Sequence, residues 1–398
     1  MSMQFEPGGP VPEGFIPLSI PEIRGNEWAY IKECLDSGWV SSAGSFVDRF
    51  ERQVAEYLGV KHAVATVNGT AALHIGLLVA GVQPDDEVLV STLTFISPVN
   101  AIRYAGAWPV LVDAEPKYWQ LDAQKLSDWL ADECEFVQGQ LRNRSTGRRV
   151  KAIVPVHILG HPVDLDSLVE LARKYNLVIV EDATEALGAE YRQRKVGAPA
   201  DISCLSFNGN KIITTGGGGM LLTSDDKWAG KARYLTTQAK DDPIEYVHRE
   251  VGFNYRLTNI QAAMGCAQME QLDNYVAAKR RIASTYSSAL ADVSGVTPMP
   301  TADWARQTFW MYTVLISESD FGMERRSLLK HLAERQIQSR PLWQPMHRSH
   351  AHAQAQATDC SVAEQIWSQA LSLPCSVGLS ESEQTRVIEA IRSCNASC

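Results

Sequence analysis

Leu177-Val178-Ile179-Val180 is an unbroken apolar run that ends abruptly in two carboxylates, Glu181 and Asp182. A run of this kind reads as a strand buried on both faces, and such strands belong to parallel sheets covered by helices. Shorter, mainly apolar runs that also read as strands occur at residues 62–67, 87–91, 109–113, 151–157, 202–207 and 219–223. Stretches with helical spacing of apolar residues lie between the runs, over 46–58, 98–105 and 164–175. Strands alternating with helices at this spacing predict a doubly wound α/β fold with a largely parallel sheet. Ligands of such sheets collect outside the carboxyl ends of the strands, which is where Asp182 stands.

The next run leads into a second chemical signal. Ser206-Phe207-Asn208-Gly209-Asn210-Lys211 is followed by Ile212-Ile213-Thr214-Thr215 and by four glycines, Gly216 to Gly219. A lysine just after a buried strand, with a hydroxyl five residues before it, suits covalent capture of a phosphate-bearing carbonyl cofactor. Because the lysine precedes the glycines, this is not a phosphate-binding loop of the Walker type, and the GxGxxG spacing of dinucleotide folds is missing. Lys211 is the candidate anchor for pyridoxal phosphate. Upstream, Asn68-Gly69-Thr70-Ala71 turns from a strand into a helix, and the free amides and dipole of that helix start make a phosphate site. Read alone, the same turn is better explained as an ordinary helix start capped by Thr70.

Composition excludes several classes. A formal charge of -9 in 398 residues argues against non-specific nucleic-acid binding. The eight cysteines include no CxxC pair, so they read as reduced thiols rather than a disulfide framework or a metal site. Residues 1–14 lack the basic and apolar pattern of a signal peptide, and no apolar run reaches membrane-spanning length, so the expected location is the cytoplasm.

Glu181-Asp182-Ala183-Thr184-Glu185-Ala186-Leu187-Gly188-Ala189, Gly197, residues 201–207, Lys211 with its glycines, and Gly252-Phe253-Asn254-Tyr255-Arg256-Leu257 follow one another in that order. Together they resemble the DegT-type nucleotide-sugar aminotransferases, a fold-type I pyridoxal phosphate family, from about Ile16 to Gly378. The resemblance implies a flexible stretch over 1–15, a large cofactor domain over 16–257 with a mostly parallel seven-stranded sheet, and a smaller α+β domain over 258–398. It gives Lys211 the roles of anchor and proton carrier, and Asp182 that of partner to the pyridine nitrogen. Phe95 would lie on the cofactor ring, Gly69, Thr70, Ala71 and Ser206 would hold its phosphate, and Glu185 would sit beside the ring. Asn254 would reach the cofactor phosphate of a neighbouring subunit, making a homodimer with shared sites. Trp39 would lie near the substrate. Arg256 is left between a substrate anion and a structural ion pair.

The resemblance further implies that L-glutamate supplies the amino group, with pyridoxamine phosphate as the amino-carrying form of the cofactor. The phrases at 204–215, 154–162 and 340–347 look most like enzymes that aminate a 4-keto-6-deoxy-2-acetamido hexose carried on a nucleotide diphosphate, UDP being the expected carrier. Trp343 and His347 would then reach the sugar nucleotide from the small domain. Related dehydratases carry histidine in place of the anchoring lysine, and this chain keeps Lys211. A silent binding protein on the same fold would have no use for Lys211, Asp182 and Ser206 together.

Overall fold

The computed structural model describes residues 12–198, 200–242 and 244–394. Residues 1–11 of the expected flexible stretch, and Cys398, lie outside them. The main sheet has eight strands in the spatial order His62–Thr66, Gly219–Thr223, Ile202–Ser206, Val178–Asp182, Val150–Val154, Glu87–Ser91, Trp108–Val112 and Gln356–Ala357. Gly219–Thr223 runs antiparallel to both its neighbours. All the other pairings are parallel. Seven of these strands are the runs read from the sequence. The eighth, two residues long, comes from the C-terminal part of the chain and covers the exposed edge of Trp108–Val112.

Alternation along each strand divides the apolar residues between two cores. Ile179 packs into one and Val180 into the other, and Leu89 is separated in the same way from Val88 and Val90. Helix Gly69–Val79 is apolar on nearly every side and is correspondingly buried against the sheet. A Cβ at its Gly76 would lie 3.2 Å from Val180 and 3.3 Å from Ile202, so the small residue sets how closely helix and sheet approach.

A second, fully antiparallel sheet has the order Val296–Pro298, Tyr312–Ile316, Ala370–Leu373 and Arg340–Pro341. Helices Leu272–Ala289, Arg325–Glu334 and Glu381–Arg392 accompany it, the last opened by a Ser380 capping box.

The apolar spacing of 21–37 predicts one helix, that from Thr258 to Tyr286 a second, and the run 308–316 a strand, and all three boundaries fall elsewhere. The first helix is Glu27–Ser37 and does not begin near Pro21, because the buried Glu27 carboxylate accepts from the Gly25 amide and from Gln268, which holds the preceding residues in a turn. The long helix opened by the Thr258 capping box is broken at Glu270-Gln271 into Asn259–Met269 and Leu272–Ala289. The aromatic run 308–316 becomes a strand only at Tyr312, since Phe309 takes a positive φ of 53° and Trp310 turns inward.

Among the described residues no helix is long and apolar enough to cross a membrane, and no group of acidic, histidine or cysteine side chains is placed to hold a metal.

Candidate active site

Segments leaving five parallel-aligned strands and two segments of the C-terminal part meet in a cleft of about 310 Å³. Asn68 to Thr70, Thr94 to Pro98, Val156, Asp182 to Glu185 and Ser206 to Lys211 supply its floor, and Trp310 and Trp343 supply one wall. All five floor segments follow strand carboxyl ends, as the topology of an open parallel sheet dictates.

At the helix start the cap is Asn68, whose Oδ1 accepts from the Ala71 amide at 2.7 Å. The Ala71 amide is therefore engaged, whereas Gly69 and Thr70 line the cleft. Ser206 closes against them: a Cβ on Gly69 would come within 2.8 Å of Ser206 Cβ and 3.2 Å of its hydroxyl. Glycine at 69 thus lets two backbone amides and one hydroxyl face the same space. The fourth glycine of the run has a similar reason, since a Cβ at Gly219 would meet the Asn68 carbonyl at 2.4 Å.

Asp182 ends its strand almost fully buried, and its Oδ1 accepts from the Thr184 amide at 3.0 Å. Burial raises its pKa, opposed by the Thr184 hydrogen bonds and by the nearby Lys211 ammonium. Behind it Glu181 points away from the cleft and is bonded to His157 Nε2 at 2.6 Å, to the Ser203 hydroxyl at 2.8 Å and to the Gly197 amide at 3.0 Å. Val163 donates to His157 Nδ1, so the imidazole proton lies on Nε2, facing Glu181. This buried cluster fixes the strand end that carries Asp182.

Lys211 Nζ stands 3.7 Å from Glu185 Oε1 and 4.2 Å from the centroid of the Trp310 ring. Glu185 also accepts from the Leu159 amide at 2.8 Å. Its pKa is pushed up to about 7, chiefly by burial, with the Lys211 charge and the Leu159 hydrogen bond pulling the other way. In the cofactor-free protein the folded state therefore keeps a proton on Glu185 that the unfolded chain gives up near 4.5, and stability falls as pH rises between these values. Urea titrations of cofactor-free wild type from pH 4.5 to 7.5 should lose up to about 3 kcal/mol that Glu185→Gln retains. Parallel pH profiles for the two proteins would contradict this assignment.

The remaining candidates separate clearly. Phe95 is 49% exposed and lines the cleft, edge-on to Trp343 at 6.1 Å, and so presents a free ring face. Trp39 is 60% exposed and lies outside the cleft, its carbonyl bonded to Asn259. Arg256 is held by Glu51, which also receives Arg233 and the Ala65 amide, a structural arrangement. His347 bridges Thr92 and Glu364 and does not line the cleft. Asn254 is exposed on the outer surface because its neighbours Phe253 and Tyr255 both turn inward onto His74. Trp310 also lines the cleft, although the run 308–316 reads as a strand and carries no site motif. The hint was an aromatic run, Phe309 to Tyr312, that ignores the in-and-out alternation of a strand.

These groups can be tested against a phosphorylated aromatic aldehyde. Amides and a hydroxyl converge at a helix start, a buried carboxylate lies beyond them, an exposed ring stands at the side, and the buried Asn210 Oδ1 beside Lys211 has no partner in the protein. The donor set fits pyridoxal phosphate, with Lys211 as the amine.

Comparison with known proteins agrees. The GDP-perosamine synthase of Caulobacter vibrioides is 43% identical over 377 residues, covering 94% of this chain and 97% of that one. The structure of S. venezuelae DesV in complex with a ketimine intermediate superposes with a TM-score of 0.83 at 32% identity, covering 92% of this chain and 94% of that one. The structure of DesI in the presence of its TDP-sugar product gives 0.86 at 26%, covering 97% and 95%. The sequence pattern of one family matches residues 21–392. The chain belongs to the DegT/DnrJ/EryC1/StrS aminotransferase family and is a pyridoxal phosphate enzyme of that family.

Proposed function

We propose that this enzyme moves an amino group from L-glutamate to the keto carbon of a nucleotide-linked 4-keto-6-deoxyhexose, in the making of amino sugars for surface glycans. The observation that carries the reading is the meeting of Lys211, Asp182 and Glu185 with the Gly69-Thr70-Ser206 corner in one cleft. Pyridoxal phosphate, when bound, supplies a sink for the electron pair left when a proton leaves the carbon beside the amino nitrogen. Lys211 would hold the cofactor, and its amine is placed to carry that proton. Asp182 would keep a proton at the ring nitrogen, Phe95 would cover the ring, and Gly69, Thr70 and Ser206 would bind the phosphate. Glu185, 3.7 Å from Lys211 Nζ, holds the freed amine in place.

The enzyme acts as a homodimer in this reading. Among the described residues lining the cleft, Lys211 is the single basic side chain, while glutamate and a nucleotide diphosphate both bring at least two negative charges. The exposed Asn254, and a nearby surface segment with Ile244 80%, Tyr246 68% and Val251 84% exposed, are suited to meet a second copy. Residues 16–257 and 258–398 are its two domains in this reading.

For the carrier, the relatives named GDP-perosamine synthase at 43%, 37% and 35% identity favour guanosine diphosphate. A second reading, a UDP-linked 2-acetamido sugar, is supported by the phrases at 204–215 and 154–162. It loses part of its third phrase, since His347 is committed to Thr92 and Glu364. Mass spectrometry of products from a panel of GDP- and UDP-linked 4-keto-6-deoxyhexoses, with and without a 2-acetamido group, and their 3-keto counterparts, each with glutamate, separates the two. The expected product is a GDP-linked 4-amino sugar, with 2-oxoglutarate released. Activity confined to UDP-linked acetamido sugars would transfer the assignment to the second reading, and activity only on 3-keto sugars would reject both.

A further inference from the structure

Trp310 is fixed at both ends. Its carbonyl accepts from the buried Lys279 Nζ at 2.9 Å, and its indole nitrogen donates to the Asn210 carbonyl at 2.7 Å. The ring is 4% exposed, and Trp343 stacks on it with centroids 6.2 Å apart and planes inclined by 15°. The two indoles line the cleft beside Lys211, with Nζ 4.2 Å from the Trp310 centroid. Because the N–H of Trp310 is already spent on the main chain, that ring offers the cleft carbon surface and a π face, and no hydrogen-bond partner.

We propose that Trp310 and Trp343 form an apolar specificity wall that selects acceptor sugars with a methyl group in place of a hydroxymethyl on the ring carbon between the reacting carbon and the ring oxygen. The proposal rests on the aminotransferase reading above and names the feature of the sugar that this chain reads. The carbon whose proton Lys211 moves must come within about 3–3.5 Å of Nζ. Of the two carbons beside the reacting one, the proposed pose turns the methyl-bearing carbon to the Trp310 face, 4.2 Å from Nζ at its centroid, and the hydroxyl-bearing carbon away from it. A methyl there gains contact, whereas a hydroxyl exchanges its water partners for none. The same wall suits the amino donor, because glutamate places a methylene beside its reacting carbon.

The test runs the reaction backwards, with 2-oxoglutarate as acceptor and two amino sugars on the same nucleotide. One is a 4-amino-4,6-dideoxyhexose, and the other is the corresponding 4-amino-4-deoxyhexose with its 6-hydroxyl. Wild type should prefer the deoxy sugar in kcat/KM by about tenfold or more, the equivalent of ~1.4 kcal/mol. Trp310→His, which puts ring nitrogens into the wall, should narrow that ratio to about threefold, and Trp310→Phe should preserve it. Dissociation constants of the two sugars for Lys211→Ala protein, measured by calorimetry, should show the same preference without turnover. Because Trp343 is partly exposed, Trp343→His provides a second variant if Trp310→His does not fold. Equal use of both sugars by wild type, or a ratio unmoved by either histidine variant, would overturn the wall while leaving the aminotransferase intact. No turnover of either amino sugar, while glutamate alone still gives up its amino group to the holoenzyme in a separate half-reaction, would overturn the substrate reading and the wall with it.

Discussion

Asp182→Asn is expected to leave the chain folded and to lower turnover by on the order of 10²–10⁴. The substitution is nearly isosteric, and an asparagine oxygen can still accept from the Thr184 amide, which now bonds Asp182 Oδ1 at 3.0 Å. What it removes is a negative charge at a buried position. Stripping one partner from a buried charge pair costs about 3–5 kcal/mol, and each ~1.4 kcal/mol of barrier is tenfold in rate. The loss should appear in kcat more than in KM, because the charge matters most when electrons move toward the ring nitrogen. A variant that binds cofactor normally and works within about fivefold of wild type would remove Asp182 from its place at that nitrogen.

Mixing two inactive proteins should restore activity. Lys211→Ala removes the anchor, and Asn254→Ala removes a group that in the single chain faces away from its own cleft. If each site takes Lys211 from one subunit and Asn254 from the other, a mixed dimer regains one intact site of its two. Random exchange of equal amounts then returns about a quarter of the wild-type sites. Activity that stays at the level of the separate variants, in dimers shown to have exchanged subunits, would place the action of Asn254 within its own chain or nowhere.

Much of the scaffold was legible because periodicity reports burial directly. The runs around Leu89, Ile179 and Cys204 could be strands of a covered sheet and little else, and the structure places all three in one sheet. The floor of the cleft was legible for a related reason. Asp182, Ser206 and Lys211 lie at or just beyond strand ends, so fixing the strands brought them together.

What stayed hidden depends on contacts between distant segments. Asn68 and Thr70 are both good caps, and only the point where the chain leaves the His62–Thr66 strand makes Asn68 the capping residue. Nothing local says that Arg256 will meet Glu51, or that Phe309 will adopt a positive φ and turn Trp310 onto Lys211. Periodicity places a residue in an element without naming its partner. For that reason the aromatic wall appears only once the sheet Val296–Pro298, Tyr312–Ile316, Ala370–Leu373 and Arg340–Pro341 is seen beside the main one.

The account rests on Lys211 holding the cofactor. Borohydride reduction of the purified holoenzyme, followed by proteolysis and mass spectrometry, tests that directly. The predicted result is a reduced phosphopyridoxyl group on the peptide containing Lys211, absent from Lys211→Ala protein. Cofactor fixed at another lysine, or an Ala variant that transaminates at the wild-type rate, would contradict it.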